Sequence, residues 1–332
     1  MTAATVSRLG LVNNTGTGYL DLFLKVFSGE VLTTFDEINL MKPLHMNRTI
    51  SSGKSAQFPV LGTSSASYHD PGTEIVGTAI KHNERNVHID GLLISHVFIS
   101  NIDEAVNHYD VRGPYAHQLG QALANKFDKN CLIQAYNGGG QTTTITGGKP
   151  SVANQVVITN ANVSGATGGT YLAEAVFSIA QKMDENDVPE NERYVVLRPI
   201  HYYKMVQDTK AINRDWGGAG SYADGEVLRI AGVTVLKSNH LPALANVTSH
   251  DTNMIQTSNS YIGDFRKVIG VGFHKSAIGT VQLMGLKVES EYDIRRQGHL
   301  MVAKFALGTN WLRPESCYQL NYGTNITDGV VI

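Results

Sequence analysis

The stretch from Pro114 to Tyr136 reads as one unbroken helix, and no other feature limits the possible folds as strongly. Proline suits the first helical position, where its missing N–H would have no partner anyway. The run Asn137-Gly138-Gly139-Gly140 then supplies a stop. Leu119, Leu123, Phe127, Cys131 and Ala135 recur every four residues and so share one face, with Gln118, Gln121, Asn125 and Lys129 around them. At 1.5 Å per residue the rod is roughly 33 Å long. One apolar stripe on a rod of that length suits a scaffold helix better than a catalytic cradle.

The segments on either side have different periods. Tyr19, Leu20, Phe23, Val26 and Phe27 stand at helical spacing before a Ser28-Gly29 stop, so a short apolar helix near the chain start must dock on something. From 47 to 90 the pattern becomes extended: "SAQFPVLG" and "NVHID" flank Asp70-Pro71-Gly72, a strong turn signal. This reads as a long two-stranded excursion. Neither face carries enough apolar residues to fold alone, and an isolated hairpin is marginal in water, so the excursion is expected to lie on another chain. "GLLISHVFIS" is a β-rich run, and Asp103 is placed to cap the turn that follows it.

Residues 138 to 170 are rich in Gly, Thr, Asn and Val and suggest loops and short strands. Thr170 is expected to cap a helix whose Leu172, Val176, Ile179 and Met183 form one face. "RYVVLR" reads as a strand leading through Pro199 into the helix "PIHYYKMVQD", and "GVTVLKSNHLP" as a further strand. Strand-like runs then dominate: "KVIGVGFH", "GTVQLMGLKVESEY" and "HLMVAKFALG". The fold class is α+β, a long helix packed on sheets with elongated appendages.

At 332 residues the chain is long enough for about two domains with sizeable cores. A charged fraction of 17%, against about 25% in a typical soluble domain, nudges toward extensive burial against partners. The formal net charge of −2 argues against a dedicated nucleic-acid surface, which needs phosphate neutralisation. Cys131 and Cys317 stand far apart outside any CxxC or nucleophile pattern, so buried, reduced thiols are expected. The start "MTAATVSRLG" lacks a secretory pattern, and the apolar stretches fall short of the ~20 residues that span a bilayer. No membrane partner is expected.

Motifs that carry chemistry are incomplete. Gly53-Lys54-Ser55 ends like a nucleotide-phosphate loop, but Arg48 stands where the first glycine belongs. "AQFPVLG" follows where a helix should start. Gly270-Val271-Gly272 lacks the third glycine of a dinucleotide fingerprint and reads better as a strand with close backbone packing. Asp184, Glu185 and Asp187 sit in a polar helix exit and read as solvated surface, and no nucleophile elbow is present. His82, His88, His108 and His117 read as surface or capping groups rather than metal ligands. No catalytic, cofactor-binding or metal residue is assigned, and no cofactor is expected.

"RTISSGKSAQFPVLG" (48–62), "FLKVFSGEVLTTF" (23–35) and "IDEAVNHYDVRGPYAHQLGQALA" (102–124) closely resemble the major capsid protein of T-seven-like short-tailed bacteriophages. So do "GFHKSAIGTVQL" and "AKFALGTNWLRPES" near the other end. Between 138 and 260 the resemblance is to the wider class of tailed-phage coat proteins, through "VVLRPIHYYKM", "GVTVLKSNHLP" and "GDF".

The resemblance implies the Hong Kong 97-type phage capsid fold. On that reading residues 1–46 are an N-terminal arm, 47–92 the extended E-loop hairpin and 93–185 a P-domain with spine helix 114–136. Residues 186–259 are roughly the A-domain, and 260–332 supply the P-domain sheet and C-terminus. The implied function is an icosahedral head of self-assembled pentamers and hexamers, made in the host bacterial cytoplasm. It encloses double-stranded DNA with only weak direct binding. Implied partners are further copies of the chain, a scaffolding protein and a portal.

Subunit contacts are expected from the E-loop residues Arg48, Lys54, Phe58, Glu74, Lys81, Glu84 and Arg85. Docking of the arm is expected through Tyr19, Leu20, Phe23, Val26 and Phe27. Some coats of this fold crosslink through an E-loop lysine, but none is expected from Lys54. The alternatives are an encapsulin-type compartment, which shares the fold, or a phosphate-binding enzyme using Lys54.

Overall fold

In a computed structural model of the chain, the scaffold helix forms as α1, Arg112–Gly139. The structure describes residues 31, 33–34, 39–61, 64, 66–77, 79–80, 82–101, 112–141, 154–165, 167–207, 229–251 and 254–324. Leu119, Leu123, Phe127, Cys131 and Ala135 are all buried, so the four-residue stripe is the buried face. From Cys131 to Tyr136, however, every residue is buried, including Gln134, and the helix is enclosed on all sides there.

The helix also runs on through two of the glycines read as a stop. A Cβ at Gly138 would lie 2.8 Å from Cys317 Sγ, and one at Gly139 would lie 3.1 Å from the backbone of Gln319. These glycines let helix and strand backbones approach closely, so their role is packing as well as termination.

The strands in chain order begin with β1 (Met46–Thr49), β2 (Ser55–Leu61), β3 (His82–His88), β4 (Gly91–Ser100), β5 (Gln155–Ile158), β6 (Arg193–Leu197) and β7 (Arg229–Ile230). They continue with β8 (Val233–Lys237), β9 (Asn246–Val247), β10 (Gly263–Asp264), β11 (Val268–His274), β12 (Ile278–Asp293), β13 (Gly298–Trp311) and β14 (Cys317–Tyr322). Further helices among the described residues are α2 (Asn160–Ser164), α3 (Gly168–Glu185) and α4 (Pro199–Val206).

The chain forms two compact units. The first takes in Leu92–Phe127 and Met284–Leu307, together with the described residues before Met41. Here β4 lies beside β13, which lies beside β12. Phe127 meets Phe305 with ring centroids 6.3 Å apart.

The second unit comprises Met41–Gly91, Asp128–Leu283 and Gly308–Ile332. Its centre is a six-stranded sheet ordered β5-β14-β11-β6-β8-β7. Parallel pairing of β6 with β8 and of β14 with β5 mixes with antiparallel β11 pairs. Leu172, Val176, Ile179 and Met183 of α3 pack with Tyr202 and Met205 of α4 onto Val195, Leu197, Val233 and Ile269. The helical face read from the sequence is the face that is buried.

Other expectations are adjusted. Thr170 does not cap α3: the helix begins at Gly168, after Thr167, and Thr170 lies in its first turn. A Cβ at Gly168 would collide with the Val163 carbonyl, so only glycine admits the tight entry from α2. Buried residues of α3 and β6 belong to one hydrophobic cluster. At Gly270 a Cβ would stand 2.6 Å from Leu197 and 2.7 Å from the Val196 carbonyl, which is the close packing expected of that glycine pair. Cys131 and Cys317 are both free and buried. Asp103 lies outside the described residues.

Candidate functional site: the 46–91 hairpin

The excursion after Met46 is a hairpin in which β2 and β3 pair antiparallel from Ser55↔His88 to Leu61↔His82. Along β2 exposure alternates strictly, with Ala56, Phe58 and Val60 turned inward. Ala56, Phe58, Val87 and Ile89 form one apolar cluster with Val281 and Leu312. The lower half of the hairpin therefore folds on its own chain, and the expectation that the whole excursion needs another chain is corrected. Alternation supplied only three inward residues on β2; what the sequence could not reveal was the waiting surface at Val281 and Leu312.

Polar contacts fasten the same half. Arg48 Nη1 donates to the Gln57 carbonyl at 2.7 Å and lies over the Phe58 ring, 5.9 Å from its centroid. Gln57 Nε2 donates to Glu84 Oε1 at 3.2 Å across the two strands. The Arg85 guanidinium stacks 3.7 Å from the centre of the Trp311 ring, a cation–π contact in a half-buried setting. Burial lowers the Arg85 pKa. The Ile89 N–H donates to the Lys54 carbonyl at 2.9 Å, closing the root.

Gly53 adopts φ +116°, a backbone that favours glycine, and the chain turns there into strand β2. A phosphate loop requires a helix at that point. Lys54 thus stands at the foot of a strand, and the phosphate-binding alternative loses its geometric basis. Its side chain is exposed.

Beyond Leu61 the character changes. Thr73 N–H and hydroxyl both donate to the Asp70 carbonyl, with Pro71 and Gly72 at the turn positions and Gly72 at φ +97°. This is the turn the sequence announced. Around it Leu61, Tyr68, Ile75, Val76 and Ile80 are exposed, with Ile75 at 78% and Val76 at 82% of full accessibility. Large apolar side chains are thus exposed on both sides of one turn. These residues were not among the expected contacts. Their signal was present all the same, as apolar residues beside a turn in a segment with little core of its own.

The expected contact residues divide accordingly. Phe58 is inward and Arg85 is stacked on Trp311, so both are committed within the chain rather than offered outward. Arg48 and Glu84 are exposed but already hydrogen-bonded to Gln57. Lys54 and Glu74 are exposed. Lys81 and the arm residues Tyr19, Leu20, Phe23, Val26 and Phe27 lie outside the described residues.

A family model described as "Gp10A-like: Major capsid protein" matches residues 57–321. The chain belongs to this family. The major capsid protein of Enterobacteria phage T3 is 35% identical over 314 residues, covering 90% of each chain. That of Escherichia phage T7 is 34% identical over 322 residues, again covering 90% of each. The capsid structure of the cyanophage P-SCSP1u matches with a TM-score of 0.77 and 46% identity, covering 98% of this chain and 100% of that one. A virus-like particle from Pyrococcus furiosus, at 9% identity and a TM-score of 0.56, shares the fold alone. The chain is thus a tailed-phage major capsid protein of the Hong Kong 97-type fold. It is a structural subunit that self-associates into the virion shell. The family match disfavours the encapsulin-type reading.

Proposed function

We propose that copies of this chain form pentamers and hexamers that close an icosahedral head, with the hairpin tip of each copy seated on its neighbour. The observation that carries this reading is the contrast within one hairpin: a root fixed on Val281 and Leu312, and a tip whose Tyr68, Ile75 and Val76 remain in solvent. A fixed root aims the tip, and removing its apolar surface from water on a second copy supplies association energy. Each subunit then offers one surface and receives on another. Such head-to-tail contacts close into rings when the rotation allows.

On this reading residues 1–46 serve as an arm and 47–92 as the E-loop. Residues 93–185 and 260–332 make the P-domain, and about 186–259 the A-domain near the ring axes. The arm docks through Tyr19, Leu20, Phe23, Val26 and Phe27. Lys54, Glu74 and Lys81, with the outward edges of Arg48 and Glu84, add charge complementarity to the apolar tip. Assembly in the host cytoplasm uses a scaffolding protein and a portal. A chain with net charge −2 encloses double-stranded DNA without gripping it.

The test is to express the full chain with a scaffolding protein and image the products by electron microscopy. Closed shells with five-fold and six-fold rings are expected. Open sheets, or shells formed equally well after deletion of residues 62–80, would overturn the role given to the tip.

A further inference from the structure

The root of the hairpin closes on a buried carboxyl outside the apolar cluster. Asp90 lies two residues beyond the end of β3, is 8% exposed, and belongs to a polar network within the second unit. Asn259 Nδ2 donates to Asp90 Oδ1 at 2.7 Å and to the His88 carbonyl, and its Oδ1 accepts from the His88 N–H at 3.3 Å and from Asn310 Nδ2 at 3.2 Å. The Asp90 carbonyl in turn accepts from the N–H groups of Ile255 and Gln256. The returning strand is thereby pinned through His88 and Asp90, and Asn259 uses both its amide protons and its carbonyl oxygen in doing so.

The protons at Tyr261 do not add up if Asp90 is ionised. The phenolic oxygen lies 2.6 Å from Asp90 Oδ2 and 3.0 Å from the Thr309 carbonyl, two acceptors, while the Thr309 N–H donates to it at 3.2 Å. A phenol has one proton to give. An ionised Asp90 must compete with the Thr309 carbonyl for it. A protonated Asp90 instead donates to the phenolic oxygen, whose two lone pairs accept from Asp90 and from Thr309 N–H, leaving the phenolic proton for the Thr309 carbonyl. Every contact is then satisfied, as buried polar groups require.

We propose that Asp90 is a proton-linked latch: the hairpin root is closed with its carboxyl protonated and donating to Tyr261, and opening of the root releases that proton. Burial raises the Asp90 pKa to about 7, against the smaller opposing effects of the Tyr261 and Asn259 hydrogen bonds. Among the described residues the ionisable groups that interact with it are Tyr261 and, from α1, Cys131. Burial first, and then the Asp90 charge, hold Tyr261 up; burial raises Cys131 as well. Neither supplies a cation to hold a carboxylate in place.

Once opened to water, the carboxyl returns to its ordinary value near ~4. Between about pH 4 and 7 the closed root therefore keeps a proton that the open root has lost. Closure is tightest below that window, weakens as pH rises through it, and levels off above about 7.

Amide hydrogen exchange at His88, Ile89, Ile255 and Gln256 in the full chain, corrected for intrinsic rates, reads the opening equilibrium. Opening is expected to rise by nearly tenfold, to order of magnitude, per pH unit between about pH 5 and 6.5. Asp90→Asn copies the protonated acid, with an amide donor toward Tyr261, and is expected to stay closed without that slope. A flat wild-type profile, or the same slope in Asp90→Asn, would overturn the proposal. Infrared spectra of the wild-type chain at pH 6, where ordinary carboxyls are ionised, should carry a protonated-carboxyl band that fades by pH 9. Absence of that band sinks the latch even if the variant does not fold. These readings are made on unassembled chain, so they stand or fall apart from shell formation.

Discussion

At its root the hairpin buries Phe58 and Val87 on Val281 and Leu312, whereas at its tip Tyr68, Ile75 and Val76 stand in solvent. Residue type does not separate the two regions, since both carry aromatic and β-branched side chains. What separates them is the surface opposite. The root meets β12 and the start of the 312–316 turn, and the apolar area it buries offsets the entropy of ordering the strands. Among the described residues the tip meets no such surface, and Tyr68, Ile75 and Val76 stay exposed. On the proposed function, stability is concentrated in the root and association in the tip of one continuous hairpin.

Substitutions should separate these roles. The largest expected effect is Ile75→Asp combined with Val76→Asp, which places two charges in the proposed seat. Shell formation should be lost in sedimentation and micrographs, while the unassembled chain keeps its stability within about 0.5 kcal/mol, as exposed substitutions do. If the double variant assembles and sediments like the parent, the tip is not the seat. Next comes Phe58→Ala, which removes a buried aromatic from the root. A loss of about 3 kcal/mol in denaturant unfolding is expected, and an unchanged midpoint would place the stabilising contacts elsewhere. Smallest is Lys54→Glu, an exposed change at the foot of β2. Folding should be unaffected and particle yield reduced several-fold in low salt; normal yield would remove Lys54 from the contact while leaving the fold intact.

Several elements were legible before any coordinates. The stripes Leu119 to Ala135 and Leu172 to Met183 coincide with buried faces because helical period and burial are one fact seen twice. The Asp70-Pro71-Gly72 turn was legible because proline and glycine restrict backbone angles locally. Contact residues were legible only in part. Charge marks Arg48, Arg85 and Lys54 as contact candidates, yet Arg85 is taken up by Trp311, a residue more than two hundred positions away. The tip's apolar residues, which carry the stronger argument for a partner, have no local mark, since short apolar groups beside a turn read equally well as core.

The sequence by itself determined the periods, the turns and the family, since each is written in neighbouring residues or in long matching stretches. Only the tertiary structure decided that α1 is enclosed on all sides from Cys131 to Tyr136, that Gly138 and Gly139 make room for β14, and that Asp90 faces Tyr261 and Asn259. The reason is range. Local conformational preference acts over a few residues, whereas burial, close approach and the proton count of a buried network depend on groups brought together from opposite ends of the chain.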